Sequence, residues 1–296
     1  MAQLPVIHIG GVPEHFNLPW QLAIEDRAFE KAGVDLRWQD IPEGTGRMSK
    51  LLRKGDLDVA CILTDGIVKD IIAGNQSRIL QVYVSTPLLW GVHTQGDNTV
   101  NETQHLKKRR FAISRYGSGS HLMSYLLASK YGWNMNNLEY VLVNTIEGAI
   151  NSLKANQADL FLWERYMTQP IVDQGVFKRL ETIAPPWPSF VIAATQDAIA
   201  EKQAGLRSMI EVINRYSMEF KDIPSIDHTI ASHYNLEVGD VREWMLRTEF
   251  SDDQLWQSTI ATIIKEFTAV GIIEKHVEIN DLIHNLSSPS IYSEEE

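Results

Sequence analysis

The stretch 114–121, SRYGSGSH, combines three serines and two glycines with one arginine and one histidine. It follows the apolar run Phe111–Ile113 and precedes apolar residues at helical spacing, so it predicts a strand, a turn and a helix capped by Ser118 or Ser120. A helix start offers unpaired N–H groups and a positive dipole end, which favour a carboxylate, sulfonate or phosphate. A forked guanidinium would strengthen such a site. The residues assigned to this candidate anion seat are Arg115, Ser118, Gly119 and Ser120, and His121 is a further candidate ligand-binding residue in the same stretch. An ordinary capped turn is the alternative.

Other glycine motifs do not fit this stretch. A dinucleotide fingerprint needs glycine where Leu122 stands, and a nucleophile elbow needs glycine where Tyr116 stands. A Walker loop needs lysine after its last glycine, and none is there. No nucleophile with a base and no metal-ligand spacing is readable elsewhere, so we predict neither a cofactor nor a metal.

Composition bounds the partners of the chain. Its 296 residues carry 27 basic and 38 acidic side chains, a formal net charge of −11 and a pI near 5.3. That balance argues against nucleic acid and anionic membranes as partners. The length suggests two domains. The one cysteine, Cys61, lies in an apolar run and excludes an intramolecular disulfide.

The elements that must position the candidate seat form two similar blocks. In each block strands alternate with helices, which predicts an α/β fold with mostly parallel sheets. Residues 52–60 and 153–161 echo one another as helix end, polar turn and buried strand. The polar segment 95–104 marks a boundary between the blocks, and helices dominate after Gln196.

In parallel sheets, ligands bind at the carboxyl ends of strands. The polar residues that follow strands or open helices there are Glu14, His15, Asn17, Thr45, Thr64, Asp65, Asn144 and Glu164. We read Asn144, with Glu147 three residues later, as a variant capping box. Such residues are also ordinary in turns, and Glu164 could instead form a salt bridge with Arg165 or Arg115.

Two tryptophans complete the candidate site. Trp90, Trp163 and Trp187 could each stack on a flat ligand or simply fill the core, and Trp90 and Trp187 are the two assigned to the site. His15 and His121 could face each other across a cleft, although nothing in their spacing predicts a metal.

The order of several segments resembles the nitrate, sulfonate and taurine solute-binding proteins and their thiamine-pyrimidine-precursor relatives. These segments are Val12–Asn17, Glu43–Gly46, Asp58–Leu63, Ser114–His121 and Pro185–Phe190. The resemblance implies a two-lobe type 2 periplasmic-binding-protein-like fold with a helical C-terminal block. One lobe would comprise residues 1–91 and 193–296, and the other residues 92–192.

The resemblance also implies a function. The protein is expected to close by a hinge over an anionic or thiamine-precursor-like molecule, as the substrate-binding component of an ABC-type transporter or a soluble relative. The expected partners are this ligand and an ABC permease, with the protein itself a monomer. An enzyme of thiamine-pyrimidine or related precursor metabolism is the alternative, and binding is the preferred interpretation.

Two features bear on that choice. The fungal pyrimidine synthases of the family carry a pyridoxal-binding lysine, a substrate histidine and a cysteine cluster, whereas the matching segment Asp58–Gly66 has no lysine or histidine. The start of the chain has no signal-peptide pattern and there is no transmembrane run, which predicts a cytoplasmic protein. A trimmed mature form would instead be periplasmic.

Overall fold

The computed structural model describes residues 4–106, 109–274 and 278–286. These residues form two separate five-stranded sheets covered by helices. The polar tail 287–296, which the sequence predicts to extend freely, lies outside the described residues.

The first sheet is built mainly from the beginning of the chain. Its strands are β1 Val6–Gly11, β2 Asp35–Asp40, β3 Val59–Leu63, β4 Ser77–Val84 and β10 Phe190–Thr195. They lie in the order β2-β1-β3-β10-β4. Strand β1 pairs in parallel with β2 and β3, whereas β10 runs antiparallel to β3 and β4. Four successive apolar residues of β3 are buried, as expected for a strand covered on both faces.

The second sheet repeats this arrangement. Its strands are β5 Trp90–Gln95, β6 Arg110–Ile113, β7 Glu139–Leu142, β8 Leu160–Glu164 and β9 Phe177–Ile183. They lie in the order β7-β6-β8-β5-β9, and β5 is antiparallel to β8 and β9. In both sheets, therefore, the antiparallel strand stands fourth. We call each sheet with its covering helices a lobe.

Helices cover both sheets. In the described residues they are α1 Leu18–Glu25, α2 Ala28–Lys31, α3 Thr45–Lys54, α4 Thr64–Ile72, α5 Gly119–Lys130, α6 Ile146–Lys154, α7 Gln169–Asp173, α8 Gln196–Glu201, α9 Gln203–Glu219, α10 Ile226–Tyr234, α11 Val238–Arg247 and α12 Gln257–Ala269. Helices α5 and α6 contact the second sheet, while α9 packs on α1 and α12 on α4 in the first lobe. None of these helices is long and apolar enough to cross a membrane.

Helix α3 shows how local sequence fixes an element that reaches the cleft between the lobes. Met48, Leu51 and Leu52 recur at helical spacing and are buried, while the basic residues between them face solvent. The helix ends at Gly55, whose φ of 73° is left-handed and therefore suits glycine. Its other end is placed at the edge of the first sheet.

Most predicted elements are present, and the α/β two-lobe fold is confirmed. One local prediction, the cap at Asn144, was wrong. Thr64 and Asp65 lie in the first turn of α4, directly after β3. Asn144 is not a helix cap: it has φ 63°, which asparagine tolerates, and the turn brings the Thr145 hydroxyl to accept a hydrogen bond from Gly148 N at 3.1 Å.

The chain passes between the sheets twice. It leaves β4 at Val84 and enters β5 at Trp90, then leaves β9 at Ile183 and enters β10 at Phe190. The division of the lobes at residues 92 and 192 stays a prediction. Strands β5 and β10 each begin two residues before those positions.

Candidate functional site

A cavity lies between the two lobes, at the ends of β1, β3, β6 and β8. It holds about 470 Å³ of empty space, open solvent included. Its walls are Val12, Glu14, Glu43, Gly44, Thr45, Leu63, Leu88, Trp90, Ser114, Ser118, Gly119, Ser120, Trp163, Glu164 and Phe190. Seven of the predicted site residues are among them: Glu14, Thr45, Trp90, Ser118, Gly119, Ser120 and Glu164. Both lobes contribute, so a molecule bound here would touch each of them.

The start of α5 is one polar wall of this cavity. Ser118 is its N-cap, and its hydroxyl accepts from His121 N at 3.4 Å and donates to Arg115 O at 2.7 Å. The same oxygen lies 3.0 Å from the Ser120 hydroxyl, which accepts from Ser114 N at 3.1 Å. The predicted cap is therefore present, and its hydroxyls already hydrogen-bond to one another and to the backbone.

Gly119 is required by packing in this turn. A Cβ atom at Gly119 would lie 2.4 Å from Cη2 of Trp90 and 3.0 Å from a methyl group of Leu63. Non-bonded contacts of a Cβ atom below 3.0 Å are essentially never observed, so a side chain at this position would displace the Trp90 ring. The residue thus allows the aromatic wall of the second lobe and β3 of the first lobe to approach the helix start.

The start of α3 is the second polar wall, and fewer of its hydrogen-bonding groups have partners than at the start of α5. Its N-cap is Gly44, which has no side chain to accept from the first N–H groups. The next residue, Thr45, is 5% exposed and lines the cavity, and its hydroxyl has no hydrogen-bond partner among the described residues. This helix end therefore has capacity for an acceptor from a ligand.

Arg115 reaches from the second lobe to this helix end. A Cβ atom at Gly46 would lie 2.8 Å from Nε of Arg115, and one at Gly44 would lie 3.9 Å from Nη2. Both nitrogens are buried without a hydrogen-bond partner in the described part of the chain. Burial lowers the pKa of Arg115, which nevertheless stays charged because the ordinary value is so high. Arg115 is not itself a wall of the cavity.

Two carboxyl groups from different lobes line the same cavity. Glu14 follows β1, and Glu164 is the last residue of β8. Burial raises the pKa of Glu14 to about 7, although the residue as a whole keeps partial exposure. Burial and then the charge of Glu14 raise the pKa of Glu164 to about 8. The charge of Glu14 therefore disfavours ionisation of Glu164.

The salt-bridge alternative for Glu164 was wrong. Arg165 pairs with Glu243 at 3.4 Å, and Arg115 lies against α3. Glu164 accepts instead from Met167 N at 2.7 Å. Among the described residues it has no cationic partner.

The remaining walls are apolar. Leu63, Leu88 and Phe190 come from strand ends or the segment between the sheets, and Trp90 and Trp163 come from the second sheet. Trp163 stacks on Phe161 with an interplanar angle of 22°. An apolar moiety of a ligand would lie against these side chains.

His15 and Asn17 do not line this cavity. His15 is buried between Phe16 and Trp244, at ring distances of 4.5 and 4.4 Å, and burial lowers its pKa to about 3. Asn17 donates to Val12 O at 2.8 Å and so shapes the loop after β1. His15 is therefore a neutral packing residue beneath Glu14, and it does not face His121.

His121 points to a separate group of aromatic side chains. Its ring is surrounded by Tyr116, Tyr125 and Tyr140 at 4.8 to 5.3 Å, and its Nδ1 accepts from Gly117 N at 3.0 Å. Burial and nearby Lys69 lower its pKa to about 4. The side chain supports the turn from behind.

Thr64, Asp65, Trp187 and Asn144 also lie away from the cavity walls. Thr64 and Asp65 are buried in the first turn of α4, where Asp65 accepts from Gly66 N at 2.8 Å and burial raises its pKa to about 6. Trp187 packs edge-on against Phe267 at 5.9 Å, which is the core-filling role. Asn144 is exposed in its turn.

Several wall residues were missed or not assigned from sequence. Ser114 ends the segment before the predicted turn, and Leu63 and Phe190 stand at strand ends, so their position relative to the sheets was the available signal. Val12, Leu88 and Glu43 have no chemical signature that would single them out. No group of side chains in the described residues could hold a metal ion.

Comparisons with known proteins agree with this architecture. The family model described as Ca3427-like PBP (periplasmic binding protein) matches residues 90–183, the span from the start of β5 to the end of β9. The structure of the Candida albicans CA3427 gene product superposes with a TM-score of 0.88 at 25% identity, covering 97% of this chain and 99% of that one. It is described as defining a new family with the generic periplasmic binding protein fold. No curated protein matches the sequence.

Two more distant structures share the fold. The alkanesulfonate-binding protein SsuA of Xanthomonas axonopodis pv. citri, bound to MOPS, gives a TM-score of 0.78 at 15% identity and covers 96% of this chain and 100% of that one. The periplasmic nitrate-binding protein NrtA of Synechocystis gives 0.68 at 13% identity, covering 92% and 83%. The predicted resemblance is confirmed, and the chain has the fold of the periplasmic binding proteins, with the Ca3427-like pattern in its second lobe.

Proposed function

We propose that this protein binds a small molecule with an anionic group in the cleft between its lobes and closes around it. The observation that carries the proposal is Arg115, whose Nε and Nη2 are buried and unpaired beside the open start of α3. A desolvated cation next to the positive end of a helix is unfavourable unless an anion joins it. The charge of Glu43 acts on Arg115, but no hydrogen bond or ion pair joins the two among the described residues. A sulfonate, carboxylate or phosphate of a ligand would supply an anion that binds it directly.

The arrangement also couples binding to closure. Arg115 belongs to the second lobe, while Gly44 and Thr45 belong to the first. An anion held by both draws the lobes together, and opening would separate its partners. This is the hinge-closure mode of two-domain binding proteins. Among proteins of the same fold, SsuA is described as binding alkanesulfonate and NrtA as binding nitrate, which supports an anionic ligand here.

Delivery to an ABC permease is part of this proposal. If no permease is involved, we propose instead that the protein is a soluble relative of the transport proteins and retains its ligand. Co-purification of the tagged protein with a permease encoded beside its gene supports delivery, and capture of ligand without any membrane partner supports the soluble form.

The test is native mass spectrometry of the purified protein, followed by titration with nitrate, alkanesulfonates, alkylphosphonates and carboxylates. Tryptophan fluorescence should report binding, because Trp90 and Trp163 line the cavity. Small-angle scattering should show a smaller radius of gyration on binding. A retained molecule without an anionic group, or no response to any of these anions, contradicts the proposal. Chemical conversion of a bound molecule would favour the enzyme instead.

A further inference from the structure

The acid pair is not explained by an anion-binding site. Glu14 and Glu164 face one cavity from two lobes, and neither forms an ion pair within the described residues. Because burial raises the pKa of both acids, an anionic ligand alone would keep them protonated, whereas a cationic group beside them would let them ionise and pair with it. Their presence therefore calls for a second feature of the ligand.

Arg165 and Arg179 act on Glu164 through their charge, but neither forms an ion pair with it among the described residues. Arg165, next to Glu164 in the chain, is engaged by Glu243. Arg115 lies at the start of α3, where Glu43 and Arg47 are its charged neighbours. Lys69 is beside Gly117, behind the α5 turn.

On its other side Glu14 borders a second hollow that is itself acidic. This hollow is lined by Val12, Pro13, Glu14, Asn17, Gln21, Glu25, Asp40, His233 and Tyr234. Glu14, Glu25 and Asp40 give it negative charge, and the charges of Glu14 and Asp40 contribute to raising the pKa of Tyr234. The field at Glu14 thus favours a cation from both sides.

The cavity offers further contacts that are not used within the protein. The hydroxyl of Ser114, a residue 2% exposed, has no hydrogen-bond partner in the described part of the chain, and neither does that of Thr45. Both residues line the cavity. The indole rings of Trp90 and Trp163 are in the same walls, and aromatic faces attract ammonium and guanidinium groups. Neither hydroxyl oxygen is fully enclosed, so each is accessible from the cavity, where a polar ligand can hydrogen-bond to it.

We propose that the ligand is a zwitterion whose protonated nitrogen, an ammonium, amidinium or guanidinium group, binds between Glu14 and Glu164. Its anionic group binds to Arg115 and to the start of α3. This inference rests on the proposed function and adds the second charge. A cationic nitrogen between the two acids also joins the lobes, because each acid belongs to a different one.

The test uses pairs of compounds that differ only in the nitrogen. One pair is 3-aminopropane-1-sulfonate and butane-1-sulfonate, in which an ammonium replaces a methyl group. Matching pairs with phosphonate and carboxylate groups, and with chains one carbon shorter and longer, cover other anions and spacings. Calorimetry should show at least tenfold tighter binding of the amine in the best-fitting pair.

Two variants locate the effect. Glu14→Gln and Glu164→Gln should each reduce the preference for the amine at least several-fold while binding of the matched alkyl compound is kept or improved. The control is Glu211→Gln, which removes an exposed acid on α9 that does not line this cavity and should leave the preference unchanged. Circular dichroism and thermal melts check the fold of each variant.

The outcomes separate the two proposals. If the alkyl compounds bind and the amines bind no better, the zwitterion inference is overturned and anion binding stands. A preference for the amine that persists in both glutamine variants also overturns it, because another group then holds the nitrogen. If no compound of any pair binds, both proposals fall.

Discussion

The starts of α3 and α5 line the same cavity but differ in how their polar groups are satisfied. At α5, the hydroxyls of Ser118 and Ser120 form a closed network with the neighbouring backbone. At α3, Gly44 offers no cap and the Thr45 hydroxyl has no partner among the described residues. The stretch with the stronger sequence motif is therefore the more self-sufficient one. The less conspicuous helix start has the capacity for a ligand.

The difference suggests a division of labour. The α5 turn fixes the second lobe and presents Arg115 to the first, and α3 completes the site when the lobes close. The predictions below test this division, from the largest expected effect to the smallest.

Arg115→Ala should weaken binding of an anionic ligand by about 30-fold to a few thousandfold, because losing one desolvated charged partner costs about 2–5 kcal/mol. Calorimetric titration measures the effect. The matched control is Arg47→Ala, which removes an exposed guanidinium on α3 near the same site and should change affinity less than threefold. Equal losses in both variants would indicate a general field effect and not a specific contact.

Gly119→Val should destabilise the closed protein by about 1–3 kcal/mol, as overpacking of a filled site does. The reason is the 2.4 Å approach of a Cβ atom to the Trp90 ring. Chemical denaturation measures this change. Gly239→Val, in the first turn of α11, where a Cβ would meet nothing within 4 Å and the backbone is not left-handed, controls for placing a bulky residue at a helix-start glycine. A stable Gly119→Val variant that binds normally would show that the turn is not packed as described.

Raising the pH should lower the free energy of unfolding of the ligand-free protein. The pKa of Glu14 is raised to about 7 and that of Glu164 to about 8, from an ordinary value near 4.5. The folded protein thus holds more protons than the unfolded chain between these limits. The contribution of these two acids to the free energy of unfolding is therefore greatest below about pH 4.5 and is lost as the pH rises through 7 to 8.

Glu164→Gln should remove part of this dependence, making the protein about 1–3 kcal/mol more stable than the wild type at pH 9. This gain in stability is limited because the cleft can open, which exposes the two acids to water and lowers the cost of ionising them. Thermal melts and small-angle scattering between pH 5 and 9 measure both responses. A melting temperature that falls equally in the wild type and the variant would contradict the desolvation of Glu164.

A last pair of variants tests the two helix starts directly. Ser118→Ala removes a satisfied cap and should cost about 1 kcal/mol of stability with a small effect on affinity. Thr45→Val removes an unpaired hydroxyl and should weaken anion binding several-fold with almost no loss of stability. The opposite pattern would reverse the roles assigned to α3 and α5.

Local patterns in the sequence predict much of this fold. The apolar run Phe111–Ile113 lies in β6, and the helix predicted after the following turn begins at Gly119. Ser118 is a cap because its side chain bonds within three residues. Asn144 shows the limit of such patterns, since a left-handed φ moved the cap to Thr145.

The site depended on information that is not local. Glu14 and Glu164 were each noticed as residues after strands, but they are about 150 positions apart and only the two-lobe topology pairs them. His15 is a ligand candidate by its position in the sequence, but its ring packs against Trp244 of α11, far along the chain. Whether a hydroxyl is satisfied, as in Ser118, or free, as in Thr45, depends on neighbours that spacing does not reveal.

The exchange of strands between the sheets has a consequence for the order in which the chain folds during synthesis. The second sheet uses only residues 90–183, so all of its strands are available once that stretch has left the ribosome. The first sheet must wait for β10, which joins β3 to β4 through pairs such as Ala193 with Ala60. The part of the protein made first is thus the last to be completed, and until then β3 and β4 each have an unpaired edge that is open to pairing with another chain.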